Sequence, residues 1–276
     1  MGSISTVMAC ISPTRSNAQL LSVVADVARR FSASVVGVCA QQLSMHASIM
    51  AVGPDEPRGR ELDKFRERMA AVEAEFRSAL PTANAVLWRP QATAGPTSHD
   101  LANQARAADL LVAASDSDDR RLSASSGLEV SDLIMRSGRP VLLAPGRATG
   151  LKLTRALVCW KDSREARRAV ADALPMLKAS RAVDVVELVG RHEIERAQAR
   201  VADVGEWLHR HGVEANCFTI PLTGVESVHL AAIAQDLEAD LVAAGAFGHS
   251  RLREWAFGGV TQDLLTRSER CTLVSH

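Results

Sequence analysis

Ala239-Asp240-Leu241-Val242-Ala243-Ala244 runs straight into Gly245-Ala246-Phe247-Gly248, and after nine more residues the chain reads Gly258-Gly259-Val260-Thr261, followed by Asp263-Leu264-Leu265. The first run is short and apolar, the pattern of a buried strand. The last reads as a helix. Glycines between a strand and a helix bring backbone N–H groups close to an anion, because no Cβ intervenes and the helix start is electropositive. The stretch therefore predicts an α/β unit with a phosphate-holding turn.

The same stretch has a weaker copy upstream. Residues 108–143 align with 239–274 without a gap at a constant offset of 131, with 12 identities in 36 positions. Ala108-Asp109-Leu110 falls on Ala239-Asp240-Leu241, Gly127 on Gly258 and Asp132-Leu133 on Asp263-Leu264. A period this long is not a solenoid; it predicts two tandem domains, 1–146 and 151–276, joined by Pro145-Gly146-Arg147-Ala148-Thr149-Gly150.

Around these anchors each half alternates apolar strand runs with amphipathic helix patterns. Strands read at 6–11, 33–40, 84–88, 109–114 and 140–144, then at 154–160, 182–189, 213–220, 240–245 and 271–275. Helices read at 16–30, 58–79, 97–107 and 126–137, then at 163–178, 191–211, 225–237 and 257–267. Alternating β and α elements favour right-handed crossovers and parallel sheets covered on both faces. The predicted fold class is α/β: two tandem doubly wound, Rossmann-like domains, each a five-stranded parallel sheet flanked by helices. One long irregular stretch, Gln41 to Arg60, has no counterpart in the second half.

Bulk properties exclude several classes. With 32 basic and 32 acidic residues the formal net charge is zero, without the basic balance of a nucleic-acid binder. No apolar run reaches the ~18 residues of a membrane span, and the N-terminus lacks the pattern of a secretory signal. Five scattered cysteines, Cys10, Cys39, Cys159, Cys217 and Cys271, form no CxxC and read as free thiols in a reducing compartment, so the expected location is cytoplasmic. No G-x-x-x-x-G-K-[ST] or strand-borne G-x-G-x-x-G occurs. No nucleophile–base set stands out, and the histidines show no metal-ligand spacing. Neither a catalytic residue nor a metal ligand is predicted.

In an open α/β sheet, ligands bind outside the carboxyl ends of the strands at a topological switch point. In the second half that directs attention to the glycine stretch and to the first-strand loop, Trp160-Lys161-Asp162-Ser163, where Asp162 or Ser163 suits a helix N-cap. Gly-x2-Gly-x9-Gly after the fourth strand, together with Val158-Cys159-Trp160-Lys161-Asp162-Ser163-Arg164-Glu165-Ala166, resembles the universal stress protein family. The resemblance covers both halves and is strongest in 154–176 and 239–275. It implies binding of ATP or another adenine nucleotide, with Mg2+ as its companion, in a stress-response role. Gly245 and Gly248 would wrap the phosphates, Gly258, Gly259, Val260 and Thr261 would supply N–H groups, and Trp160, Lys161, Asp162 and Ser163 would border the ribose and base. His249, beside Gly248, is either a phosphate ligand or an exposed loop histidine.

The sequence departs from the family pattern at Gly259, where a Ser or Thr hydroxyl is usual, with Thr261 two residues on. The first half departs further: Ala114 stands opposite Gly245, Ser117 opposite Gly248, and Asp116, Asp118 and Asp119 crowd its loop, so no nucleotide is expected there. The final strands, at Val141-Leu142-Leu143 and Thr272-Leu273-Val274, would lie at sheet edges in a flavodoxin-like order, and apolar edges need cover. Intramolecular pairing of the two halves and a homodimer of whole chains are expected. A nucleotide-free interaction scaffold and a slow ATPase are the alternative functions.

Overall fold

The computed structural model describes residues 3–42, 57–81, 85–115, 129–246 and 269–276. In chain order the first half contains β1 (Thr6–Ile11), α1 (Ala18–Phe31), β2 (Ser34–Gln42), α2 (Pro57–Ser78), β3 (Val86–Thr93), α3 (Thr97–Gln104), β4 (Leu110–Ala114), α4 (Val130–Ser137) and β5 (Val141–Ala144). The second contains β6 (Arg155–Trp160), α5 (Arg164–Ala179), β7 (Ala182–Val189), α6 (Ile194–Arg210), β8 (Ala215–Pro221), α7 (Glu226–Asp236), β9 (Leu241–Gly245) and β10 (Cys271–Ser275).

The strands form one sheet in the order β3-β2-β1-β4-β5-β10-β9-β6-β7-β8. Every pairing within a half is parallel. At the centre β5 and β10 run antiparallel, with Leu142 opposite Leu273. Each half therefore has the Rossmann order, not the flavodoxin-like one. From β1 the chain winds outward to β2 and β3, then returns to β4 on the other side of β1. The antiparallel join makes the strands of the two halves point opposite ways, so their carboxyl ends lie on opposite edges of the sheet.

Hydrophobic periodicity decides which face each helix covers. Leu20, Leu21, Val23, Val24, Val27 and Ala28 of α1 pack into a core that also takes Phe76 of α2, Ala166 and Val170 of α5 and Val201 and Leu208 of α6. That core is continuous across both halves. The opposite face is split: Leu101 of α3 with Leu133 and Ile134 of α4 cover the first half, and Leu230 and Ile233 of α7 the second. Gly37 of β2 lies under the ring of Phe76, where a Cβ would come within 2.6 Å of Cζ.

The repeated Ala-Asp-Leu has a visible purpose. Asp109 Oδ2 accepts the N–H groups of Ser5 and Thr6, both at 2.9 Å. Asp240 does the same for Thr154 and Arg155 in the second half. Each carboxylate satisfies donors at the start of its half's first strand, which fixes where β4 or β9 meets β1 or β6.

Two helices are shorter than their hydrophobic pattern predicts. The 97–107 pattern divides into α3 and a 3-10 turn at Ala105–Ala107, and the 191–211 pattern begins with a 3-10 turn at Arg191–Glu193. Both turns lie where the chain tightens between a helix and a strand. The expected helix at 257–267 and most of the Gln41–Arg60 stretch lie outside the described residues.

Candidate functional site

The switch point of the second half lies between β6 and β9. From β6 the chain winds outward to β7 and β8, then returns to β9 on the other flank. Cys159 is registered with Ala244, which sets Trp160 beside Gly245 at the carboxyl end. The loops after β6 and β9 therefore leave the sheet side by side, where α/β folds hold ligands.

The first-strand loop turns tightly. Ser163 N–H donates to the Lys161 carbonyl at 2.6 Å. Ser163 has extended backbone and its Oγ accepts the Ala166 N–H at 3.2 Å, so Ser163, not Asp162, caps α5. Asp162 accepts instead from Arg167 Nη1 at 2.6 Å, with both side chains exposed. Lys161 is exposed. Trp160 is buried in the core shared by α5 and α6, and its indole N–H has no hydrogen-bond partner among the described residues.

Gly245 is dictated by packing. A Cβ there would lie 2.5 Å from the Ala166 nitrogen and 2.6 Å from the Glu165 carbonyl carbon. Only glycine lets the first turn of α5 rest directly on the last residue of β9. Ala114, its first-half counterpart, carries its methyl in an exposed position. Glu165, in that first turn, is buried and accepts from Arg164 Nε at 3.2 Å. Its negative charge already complements the electropositive start of α5, so α5 is not the helix for a phosphate. Gly248, His249, Gly258, Gly259, Val260 and Thr261 lie outside the described residues.

One buried ion pair beside the site was not anticipated. Glu187 of β7 is the register partner of Trp160 and only 3% exposed. Arg200 of α6 reaches it with Nη2 at 2.7 Å and Nε at 3.2 Å, both to Oε1, while Oε2 has no hydrogen-bond partner among the described residues. The bond to Glu187 raises the Arg200 pKa above its ordinary value, and the negative charges of Asp162 and Glu193 add to it. The signal was present in Val183-Asp184-Val185-Val186-Glu187: Glu187 shares the parity of Val183 and Val185, which face the core. Asp184, on the opposite face, is also buried and accepts from Asn216 Nδ2 at 3.0 Å.

Burial pushes the thiols of Cys10, Cys39, Cys159 and Cys271 up to about 12, which leaves them unreactive at neutral pH. Cys217 differs from these four because it lies exposed on the edge strand β8. Among the described residues no group of three or more His, Cys, Asp or Glu side chains could hold a metal ion.

Compared with solved structures, the chain superposes on a universal stress protein from Archaeoglobus fulgidus with a TM-score of 0.72 at 14% identity, over 98% of this chain and 95% of that one. The fold is that of the universal stress proteins. A candidate universal stress protein of Pseudomonas aeruginosa matches with a TM-score of 0.58 at 15% identity, covering 99% of this chain and 93% of that one. The universal stress protein fold is not tied to one task. The cytoplasmic domain of a prokaryotic cation chloride cotransporter matches with a TM-score of 0.50 at 8% identity, over 99% of this chain and 96% of that domain. No family model and no curated protein matches the sequence.

Proposed function

We propose that the second half binds an adenine nucleotide, ATP above all, at the carboxyl ends of β6 and β9, and that the protein acts as a stress-response sensor or regulator. The observation that carries this reading is the adjacency of Trp160 and Gly245. It brings the first-strand loop beside the origin of the Gly245–Thr261 segment, in a universal stress protein fold.

In this reading the glycine segment supplies N–H groups to the phosphates, and the exposed Lys161 supplies a positive charge at the mouth of the site. Ser163 is committed to capping α5, so its role is to set the loop's shape. Asp162 holds Mg2+ only by exchanging its bond to Arg167 for the metal. The sequence carries no evident nucleophile–base set, so binding without rapid turnover is the expected behaviour.

The working unit comprises residues 1–146 and 151–276 paired through β5 and β10, assembled as a homodimer in the cytoplasm. Native mass spectrometry of the purified full chain tests the binding claim. The spectrum should show a mass increment of one nucleotide per chain after incubation with ATP and Mg2+. An unchanged mass would contradict the reading and favour an interaction scaffold.

A further inference from the structure

The ten-stranded sheet ends in β3 on one side and β8 on the other. The two edges are built differently. β3 carries Arg89 and Pro90 in mid-strand, a charge and a missing donor that discourage pairing. β8, Ala215-Asn216-Cys217-Phe218-Thr219-Ile220-Pro221, has no charged residue, and its one proline is the last residue. Nothing in it is buried: Asn216 and Cys217 are exposed and the others half-buried. Among the described residues β8 pairs with β7 alone. β9 and β10, which flank residues 247–268, lie inward of β6 and β7, and β2, which precedes residues 43–56, belongs to the other half.

The direction of the free backbone groups follows from one bond. Leu222 N–H donates to the Val189 carbonyl of β7 at 2.8 Å. Strand alternation then turns the backbone groups of Asn216, Phe218 and Ile220 toward β7, and the N–H groups of Ala215, Cys217 and Thr219 outward. Pro221 falls on the outward side, where β7 needs no donor. Antiparallel pairing with a second β8 about an axis at Phe218 sets Cys217 opposite Thr219 and Ala215 opposite Pro221. Every outward N–H then meets a carbonyl, and the donor that Pro221 lacks is missed only at the ends of the ladder. Phe218 meets its own copy in a non-hydrogen-bonded pair, the kind that brings side chains closer. An uncharged strand also brings no like charges together at the axis.

The helix over this edge leaves room for a second chain. A Cβ on Gly205 of α6 would lie 2.8 Å from Cys217 Sγ, and His209 Nδ1, one turn on, is 2.6 Å from Glu214 Oε1 just before β8. This flank of α6 therefore stands over β8, and Ala202, one turn before Gly205, is exposed on it. Small residues there let the α6 helices of two chains approach. The molecule already joins its halves by antiparallel pairing, of β5 with β10.

We propose that β8 is the surface through which two copies of this chain associate, pairing antiparallel about a two-fold axis at Phe218 so that the sheet runs on from one chain into the next. The proposal rests on the homodimer reading above and gives that dimer its interface.

Light scattering and amide exchange on the full chain test it. The wild type should show twice the 29.6 kDa chain mass. Its Cys217 and Thr219 amides should exchange about tenfold or more slower in the dimer than after dilution to monomer. Thr219→Pro removes an outward donor and no bond to β7, so it should be monomeric with the circular dichroism of the wild type. If that variant fails to fold, amide exchange in the wild type decides. A wild type that stays monomeric at every concentration overturns the proposal and the homodimer reading with it. A dimer whose Cys217 and Thr219 amides exchange fast, or one that survives in folded Thr219→Pro, overturns the proposal alone, because the dimer then uses another surface. Assemblies that keep growing with concentration would mean that β8 joins β3 head to tail, and would overturn it too.

Discussion

At the scale of single residues, Gly245 and the Glu187–Arg200 pair define the frame of the site. Gly245→Ala drives a methyl into the backbone of Ala166 and Glu165, which cannot swing aside as a side chain would. The expected cost is about 1–3 kcal/mol of stability, measured by denaturant unfolding. Ala114→Gly, at the equivalent first-half position, has no clash to relieve and should cost only about 0.5–1 kcal/mol from chain entropy. Equal effects of the two changes would mean that the contact with α5 is not what requires glycine. Arg200→Ala leaves the Glu187 carboxylate buried and uncompensated. Fully buried pairs lose ~3–5 kcal/mol on such a change. Arg200 keeps 29% of its side-chain surface exposed, so about 2–3 kcal/mol is expected after allowing for solvent screening. The double change Glu187→Leu with Arg200→Met should recover most of that loss, which chemical denaturation would register. Gly245 was legible in the sequence as the glycine that ends a buried strand, although its packing against α5 was not. The partner of Glu187 was hidden for a physical reason: parity within β7 marks Glu187 as inward-facing, but nothing local says which helix residue will meet it.

At the scale of elements, α3 and α4 are joined by one carboxylate. Asp132, in the first turn of α4, accepts from Ser98 Oγ at 2.8 Å and Arg136 Nε at 2.6 Å, and lies 3.3 Å from His99 Nε2. Burial pushes its pKa up, but the bonds from Arg136 and Ser98 and the charges of Arg136 and His99 outweigh burial and hold it below its ordinary 3.8. A carboxyl whose folded pKa is depressed adds stability above its unfolded pKa, and that contribution disappears as pH falls through the folded value. Asp132→Asn should therefore lower stability at neutral pH. The gap to wild type should narrow as the pH falls below about 3.8, in unfolding curves recorded across that range. A gap independent of pH would show that the carboxylate's charge is not what matters. Most elements were readable from periodicity, because each helix that covers the sheet repeats its apolar residues at three- and four-residue steps. Helix boundaries at 104 and 194 were less legible, since a 3-10 turn carries the same apolar spacing into a different backbone.

At the scale of the whole molecule, one hydrophobic core passes through both halves, and β5 and β10 share ladder hydrogen bonds at the centre of the sheet. The linker is fastened as well: Gly150, at φ +144°, abuts Asp26 of α1, whose Oδ2 accepts the Leu151 N–H at 2.9 Å. Cooperative unfolding of both halves in a single calorimetric transition is expected, and two separated transitions would show that the junction is weak. The tandem repeat was legible because Asp109 and Asp240 perform the same backbone task in each copy. The Rossmann-like class was legible too, but the choice between its strand order and a flavodoxin-like one was not, because strand pairing depends on which face each crossover helix takes, and amphipathic helices fit either face equally well in sequence.

The central claim concerns the loops after β6 and β9, and isothermal titration of ATP with Mg2+ into the full chain tests it most directly. The account predicts a saturable isotherm with one site per chain in the wild type, abolished in Gly258→Asp, a change that puts a negative charge in the glycine segment, while circular dichroism shows the variant folded. An isotherm without measurable heat at several temperatures would contradict it, as would equal binding by the wild type and Gly258→Asp.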